Sequence, residues 1–373
     1  MLKFGILGLG QAGSNIADYA ITKGFNAVVA NTAHIDLNTL KYIPNENKLF
    51  LKGFNGAGRD RSIGKSSMVE NAESLFNLCK NKLNECDMVF IAGGGAGGTG
   101  SGAFPVATDI LLELFPTVNI IYVFPDDLES PASKINAYDC FSELSDNPQI
   151  GSIFIIDNDK GRQKLKQPKY IVHKELNTNF IDLLVAINEF TDKLSYTNNF
   201  DERDLFDILS TRGCTLITHT NLQDITEFSD SDLSSLIRKS WENNYSPIYD
   251  STNIIKAAIL GNLPKQLSDK FNLSQIFNDN VPYDIRDSLY EDESKNDNNC
   301  EFYGIYSGLK FPDERLEKIK SDIEKVQDNI ARRIEVSQNQ KLDNVSWKIN
   351  SPKLERQIKD NQISLAEKLK KFK

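Results

Sequence analysis

Two glycine-rich runs carry the clearest chemical signal. Gly8-Leu-Gly10-Gln-Ala-Gly13 follows an apolar run and opens a helical pattern, and Gly93-Gly-Gly-Ala-Gly-Gly-Thr-Gly-Ser-Gly102 sits in the same context further on. A strand-to-helix turn of this kind offers backbone N–H groups and the positive end of a helix to an anion. One loop suffices for a dinucleotide, but that site also needs an acidic residue ending the second strand to hold the ribose. Here the second strand ends Val29-Ala30-Asn31-Thr32, so a nicotinamide-dependent oxidoreductase lacks its key partner. Two loops at the ends of parallel strands suit one polyphosphate instead. A third, Gly53-Phe-Asn-Gly56-Ala-Gly58-Arg-Asp60, is placed to close over a terminal phosphate. Gly64-Lys65-Ser66 is not a Walker A motif, because Arg59 stands where its first glycine is required. The only acidic side chain beside these glycines is Asp60, between Arg59 and Arg61.

The elements that must hold the loops follow from apolar periodicity. Leu2–Leu7, Ala27–Ala30, Met88–Ala92, Ile120–Phe124 and Ile153–Ile156 are continuous buried-strand candidates separated by helical patterns. That alternation predicts a doubly wound α/β sheet, parallel and covered on both faces. A long helix is expected over about 177–194, with Ile181, Leu184, Val185 and Phe190 on its apolar face. A smaller second α/β unit should follow, with strands near Thr215–Thr218, Ile254–Leu260 and Phe302–Tyr306, and residues 284–299 read as an acidic loop. Leu316, Ile319, Ile323, Val326, Ile330 and Ile334 recur in steps of three and four, predicting a helix over Asp313–Gln338. A second amphipathic segment ends Lys368-Leu-Lys-Lys-Phe-Lys373. The resulting division is 1–176, 177–204, 205–311 and 312–373.

With these elements in place, the loops resemble those of the tubulin and FtsZ superfamily of GTPases. Ala96-Gly-Gly-Thr-Gly-Ser-Gly102 is similar to that family's signature phosphate loop, and Gly10-Gln-Ala-Gly13 with Asn15 to its first loop. Asn31-Thr32, Gly53–Asp60, Pro125–Glu129 and Asp157-Asn158 follow in the family's order. The resemblance implies GTP or GDP bound by Gly10, Gln11, Ala12, Asn15, Asn31, Gly58, Gly97, Gly98, Thr99, Gly100 and Ser101, with Glu129 on the ribose. Guanine presents two donors and an acceptor that a carboxamide can meet, which nominates Asn158 and Asn188. Leu184 stands where the family stacks an aromatic on the base, and Ser133 where FtsZ proteins carry an arginine. Mg²⁺ is expected to ride on phosphates and waters rather than in a site made of protein alone.

Asn199-Phe-Asp201-Glu-Arg-Asp204 resembles the loop that, in this superfamily, projects from one subunit into the nucleotide site of the next. Two carboxylates three apart at a helix start share one face and can hold one water, or they can simply cap the helix. The resemblance favours Asp201 and Asp204 as catalytic groups acting on a neighbour's GTP. It also implies a head-to-tail filament, since a heterologous contact that does not close grows without limit.

Composition narrows the partners. The chain has 373 residues, 40% hydrophobic and 25% charged, with a net charge of −9, which argues against a direct nucleic-acid coat. Its five scattered cysteines read as reduced core residues. No apolar run approaches the ~18 to 20 residues of a membrane span, and a cytoplasmic protein is expected. Residues 351–373 nonetheless carry seven Lys/Arg against three Asp/Glu. That basic end looks like the TubZ branch of the superfamily, which moves plasmid or phage DNA through a DNA-bound adaptor. Lys368, Lys370, Lys371 and Lys373 are the residues to test for it, with DNA contact indirect and no membrane partner. A division GTPase of the FtsZ type is the alternative reading.

Overall fold

The computed structural model describes residues 1–53, 55–222, 230–242, 244–247, 253–264, 276–277, 282–291 and 300–339. The expected basic tail and the last amphipathic segment lie outside them. In chain order the elements are β1 (Phe4–Leu9), α1 (Gly10–Ala20), β2 (Asn26–Asn31), α2 (His34–Asn38), β3 (Lys48–Phe50), α3 (Arg61–Glu70), α4 (Ala72–Leu83), β4 (Met88–Gly94), α5 (Gly98–Leu112), β5 (Val118–Phe124) and α6 (Pro131–Ser145). Then come β6 (Ile150–Asp157), α7 (Asn158–Leu165), α8 (Lys169–Glu189), α9 (Glu202–Leu209), β7 (Gly213–Leu222), α10 (Asp230–Glu242), β8 (Lys256–Asn262), β9 (Asp284–Tyr290), β10 (Cys300–Leu309) and α11 (Asp313–Asn339).

The described strands form one sheet in the order β3-β2-β1-β4-β5-β6-β7-β10-β8-β9. From β3 to β7 every pairing is parallel, β10 runs antiparallel to β7 and β8, and β8 pairs in parallel with β9. The strands expected in a separate second unit therefore extend the first sheet, through pairs such as Ser152 with Gly213. Strand residues alternate between two cores. Val89 and Ile91 join Leu75, Phe104, Phe141 and Ile319 on one side, while Phe90 and Ala92 join Ile16, Ile181, Leu184 and Leu205 on the other. Burial on both faces is why these strands read as unbroken apolar runs.

Strand order reverses between β1 and β4, since β1 continues to β2 on one side while β4 opens the other. Such a switch point leaves a crevice beyond the carboxyl ends of the strands, where α/β sheets take their ligands. Both glycine loops leave their strands there.

Three boundaries differ from expectation for physical reasons. The helix after the second glycine loop starts at Gly98 rather than near Ala107, because packing on Arg61 and Asp60 offsets the poor helix propensity of glycine. The central helix starts at Lys169 instead of 177, with Val172 and Leu176 already buried. Asp284–Tyr290, read as acidic loop, is an outer strand of the sheet whose charges are matched by ion pairs of Arg286 with Asp284 and Asp204.

Candidate nucleotide site

Helices α1 and α5 begin side by side at the switch point, and neither N-terminus is capped by a side chain. Their first N–H groups thus lack intrahelical partners and face the same crevice. The loops touch through missing side chains. Gly10 adopts φ +62°, and a Cβ there would lie 3.0 Å from Gly100 N. A Cβ on Gly98 would lie 2.7 Å from Asp60 N, so the 53–60 loop can close only on a glycine. Gly97, the N-cap position of α5, instead has nothing within 4 Å of its Cβ direction, and the same is true of Gly56 and Gly58. Open space bounded by bare N–H groups is what a phosphate chain needs.

Hydroxyl and amide side chains brace this cradle. Thr32 and Thr99 share a hydrogen bond of 2.6 Å, Ser101 Oγ donates to Gly97 O at 2.5 Å, and Asn136 Nδ2 donates to Arg59 O at 2.9 Å. Asn31 is buried, with Oδ1 accepting from Ala33 N and Nδ2 donating to Asp36. Thr99, Ser101 and Asn31 therefore hold the loops in place, which leaves backbone N–H groups as the donors toward the crevice. Asp60 is spent on α3, accepting from Ser62 N at 2.9 Å and Ser62 Oγ at 2.6 Å, and these bonds hold its carboxyl below the ordinary range. Ser133 lies buried in the first turn of α6 with Ser130.

Gln11 and Asn15 on α1 are exposed, Asn158 at the start of α7 is buried, and no described residue hydrogen-bonds any of their carboxamides. Glu129 faces Lys169 at 3.0 Å, which ties the loop after β5 to the first turn of α8. The site side of α8 carries two residues that sequence reasoning missed. His173 is half-buried; burial and then Lys169 push its imidazole below the ordinary pKa, against the opposing charges of Glu129 and Asp126. Asn177 stands one turn further on the same face. The spacing His173-x-x-x-Asn177 was visible, but became meaningful only once the helix was known to start at Lys169.

Leu184 and Asn188 do not join the site. Leu184 is fully buried in the core beneath α8. Asn188 lies at the opposite end, where Oδ1 accepts from Leu2 N at 3.0 Å and Nδ2 donates to Leu2 O at 2.9 Å. Helix geometry decides this: 21 residues at 1.5 Å span roughly 30 Å, so the last turn of α8 cannot reach loops beside its first. Asn188→Ala should leave nucleotide binding intact while lowering stability by about 2 kcal/mol or more, from two buried backbone groups left unpaired. Thermal melts with and without nucleotide check both halves.

Asp201 and Asp204 also sit at that far end, where Glu202 pairs with the amino group of Met1 at 2.5 Å. Asp201 caps α9, accepting from Arg203 N and Asp204 N at 2.8 and 2.9 Å, and Asp204 returns the contact to Asp201 N at 3.3 Å. Arg286 pairs with Asp204 at 2.8 Å. The six-residue strand β1 alone separates the two ends by roughly 20 Å. Within one chain the acidic pair and the phosphate cradle never meet.

Comparison with known proteins agrees with this geometry. Residues 3–165 match the GTPase domain of the Tubulin/FtsZ family. The tubulin-like protein TubZ of Bacillus cereus is 25% identical over 88% of this chain and 83% of its own length. The tubulin-like protein CetZ of Pyrococcus horikoshii is 25% identical over 73% of this chain and 79% of its own. The crystal structure of GDP-form protofilaments of Bacillus thuringiensis TubZ superposes with a TM-score of 0.76 at 19% identity, covering 93% of this chain and 94% of that one. Strand order, paired phosphate loops and sequence similarity converge on the first half of the chain: residues 3–165 match the GTPase domain of the Tubulin/FtsZ family.

Proposed function

We propose that this protein binds GTP in the crevice between β1 and β4 and hydrolyses it only when a second copy docks its far end onto that crevice. The observation that carries the reading is the separation of parts: a phosphate cradle whose Asp60 is spent on capping α3 at one end, and Asp201 with Asp204 at the other. Head-to-tail stacking joins them and builds a filament. Backbone N–H groups of the first turns of α1 and α5 bind the phosphates, Glu129 the ribose, and Asn158 with His173 and Asn177 the base. Asp201 and Asp204 of the neighbour orient the attacking water and one of them accepts its proton as the water oxygen bonds to the γ-phosphorus and the bond from that phosphorus to the β–γ bridging oxygen breaks, releasing GDP and phosphate. Mg²⁺ carried by the phosphates and their waters offsets negative charge.

Within the superfamily we assign the chain to DNA segregation of the TubZ kind, with filaments reaching plasmid or phage DNA through an adaptor held by the basic C-terminal residues. Similarity to TubZ extending over most of the chain supports this over a division role. GTP turnover per molecule, recorded with light scattering across a range of protein concentrations, tests the assembly step. Both should rise together above a threshold, with ATP and NAD inert. Turnover per molecule that stays flat, with no scattering, contradicts hydrolysis between subunits.

A further inference from the structure

The loop Pro125–Glu129 is a tight turn, with Leu128 N donating to Asp126 Oδ1 and Glu129 N to Asp126 O, both at 2.9 Å. Its remaining polar groups are held from outside. Asp126 pairs with Arg162 of α7 at 2.7 Å, and Asp127 pairs with Arg315 and Lys318 of α11. Arg315, only 6% exposed, reaches three groups at once. Its Nη1 lies 2.5 Å from Asp127 Oδ1, Nη2 donates to Pro125 O at 2.7 Å and to Asp157 Oδ1 at 3.3 Å, and Nε sits 2.9 Å from Asp157 Oδ2 as an ion-pair contact without hydrogen-bond alignment. Asp157 in turn caps α7, whose first residue is Asn158. One guanidinium from the C-terminal helix thus spans the turn that presents Glu129 and the turn that presents Asn158.

Docking of α11 does not require this fork. Ile319 is fully buried, and Lys134 of α6 pairs with Asp322 at 2.6 Å without bonding either turn. A buried ion pair is poor evidence for stability, since apolar side chains of similar volume often do as well. What a planar, bidentate cation supplies is fixed relative geometry among the groups it bonds. Burial pushes the Asp127 carboxyl up, but the hydrogen bonds from Lys318 and Arg315 outweigh it and hold its pKa at about 2. The contact therefore stays charged throughout the physiological range.

We infer that Arg315 is a positioning residue of the nucleotide site, setting the ribose-side turn at Glu129 and the base-side turn at Asn158 from the C-terminal helix. The inference rests on guanine nucleotide binding as proposed above. Linkage makes it reciprocal: whatever displaces the start of α11 loosens the nucleotide by the factor with which nucleotide holds α11.

The test is calorimetric titration of GDP and 2′-deoxy-GDP into the full chain freed of bound nucleotide, for the unmodified protein and for Arg315→Met, Arg315→Lys and Asp322→Ala. Arg315→Met should weaken both nucleotides through the Asn158 turn, and GDP by roughly a further tenfold through the Glu129 turn, so that preference for the ribose hydroxyl collapses. Arg315→Lys should fall between, and Asp322→Ala should keep the original preference. A preference unchanged in Arg315→Met, or lost equally in Asp322→Ala, overturns the positioning role. Should Arg315→Met fail to fold, Lys318→Met on the exposed side of the cluster replaces it, and an unaltered preference there and in Arg315→Lys is equally fatal. An unmodified protein that binds no GDP removes the nucleotide reading and this inference with it, whereas normal binding with an indifferent Arg315 removes the inference alone.

Discussion

Gly97→Asp should abolish GTP binding without harming the fold. Gly97 has φ −83° and ψ 156°, a conformation open to any residue, and nothing lies within 4 Å of where its Cβ would project. Aspartate is a favoured N-cap, and its charge suits a helix N-terminus that has no side-chain cap, so Tm should hold or rise. The same carboxylate occupies the space in front of the N–H groups that would meet phosphate. Two like charges about 4 Å apart repel by about 4 kcal/mol at an effective dielectric near 20, equivalent to about a thousandfold in affinity. Titration with GTP and a thermal melt on the same preparation decide it. A variant that binds GTP normally would place the phosphates elsewhere, and one that fails to fold would show that Gly97 does not face open space.

Asp204→Asn is the second large effect, and it acts at the other end of the molecule. Asparagine can still accept from Asp201 N, so the start of α9 should survive, and Arg286 keeps its pairing with Asp284. What is lost is a carboxylate able to hold and deprotonate water, a contribution of order 100-fold or more in rate. GTP affinity and assembly should be unchanged while turnover falls by that factor. Normal turnover would leave the acidic pair as a helix cap and nothing more, which its hydrogen bonds already make it.

The sequence made the phosphate cradle legible because glycines at strand ends are required by close approach, as at Gly10 and Gly98, and close approach leaves a local signature. Buried parallel strands were equally visible as apolar runs. Residues on α8 were not, since the face a helical side chain presents depends on where the helix begins. Moving that start to Lys169 takes Leu184 into the core and Asn188 to the far end, and brings His173 and Asn177 forward. Strand β9 escaped because an outer strand carries the charges of a loop. Arg315 was beyond sequence reasoning altogether, for its partners lie 158 and 188 positions away.

The central claim is that each catalytic site is assembled from two copies, and mixing two inactive variants tests it most directly. Gly97→Asp keeps an intact acidic pair but no working cradle, whereas Asp204→Asn keeps the cradle and lacks the carboxylate. Turnover of an equimolar mixture should rise well above the sum of the two variants measured alone, because the first can dock its far end onto GTP held by the second. Turnover that stays at the sum while the two variants co-sediment would contradict a site shared between subunits.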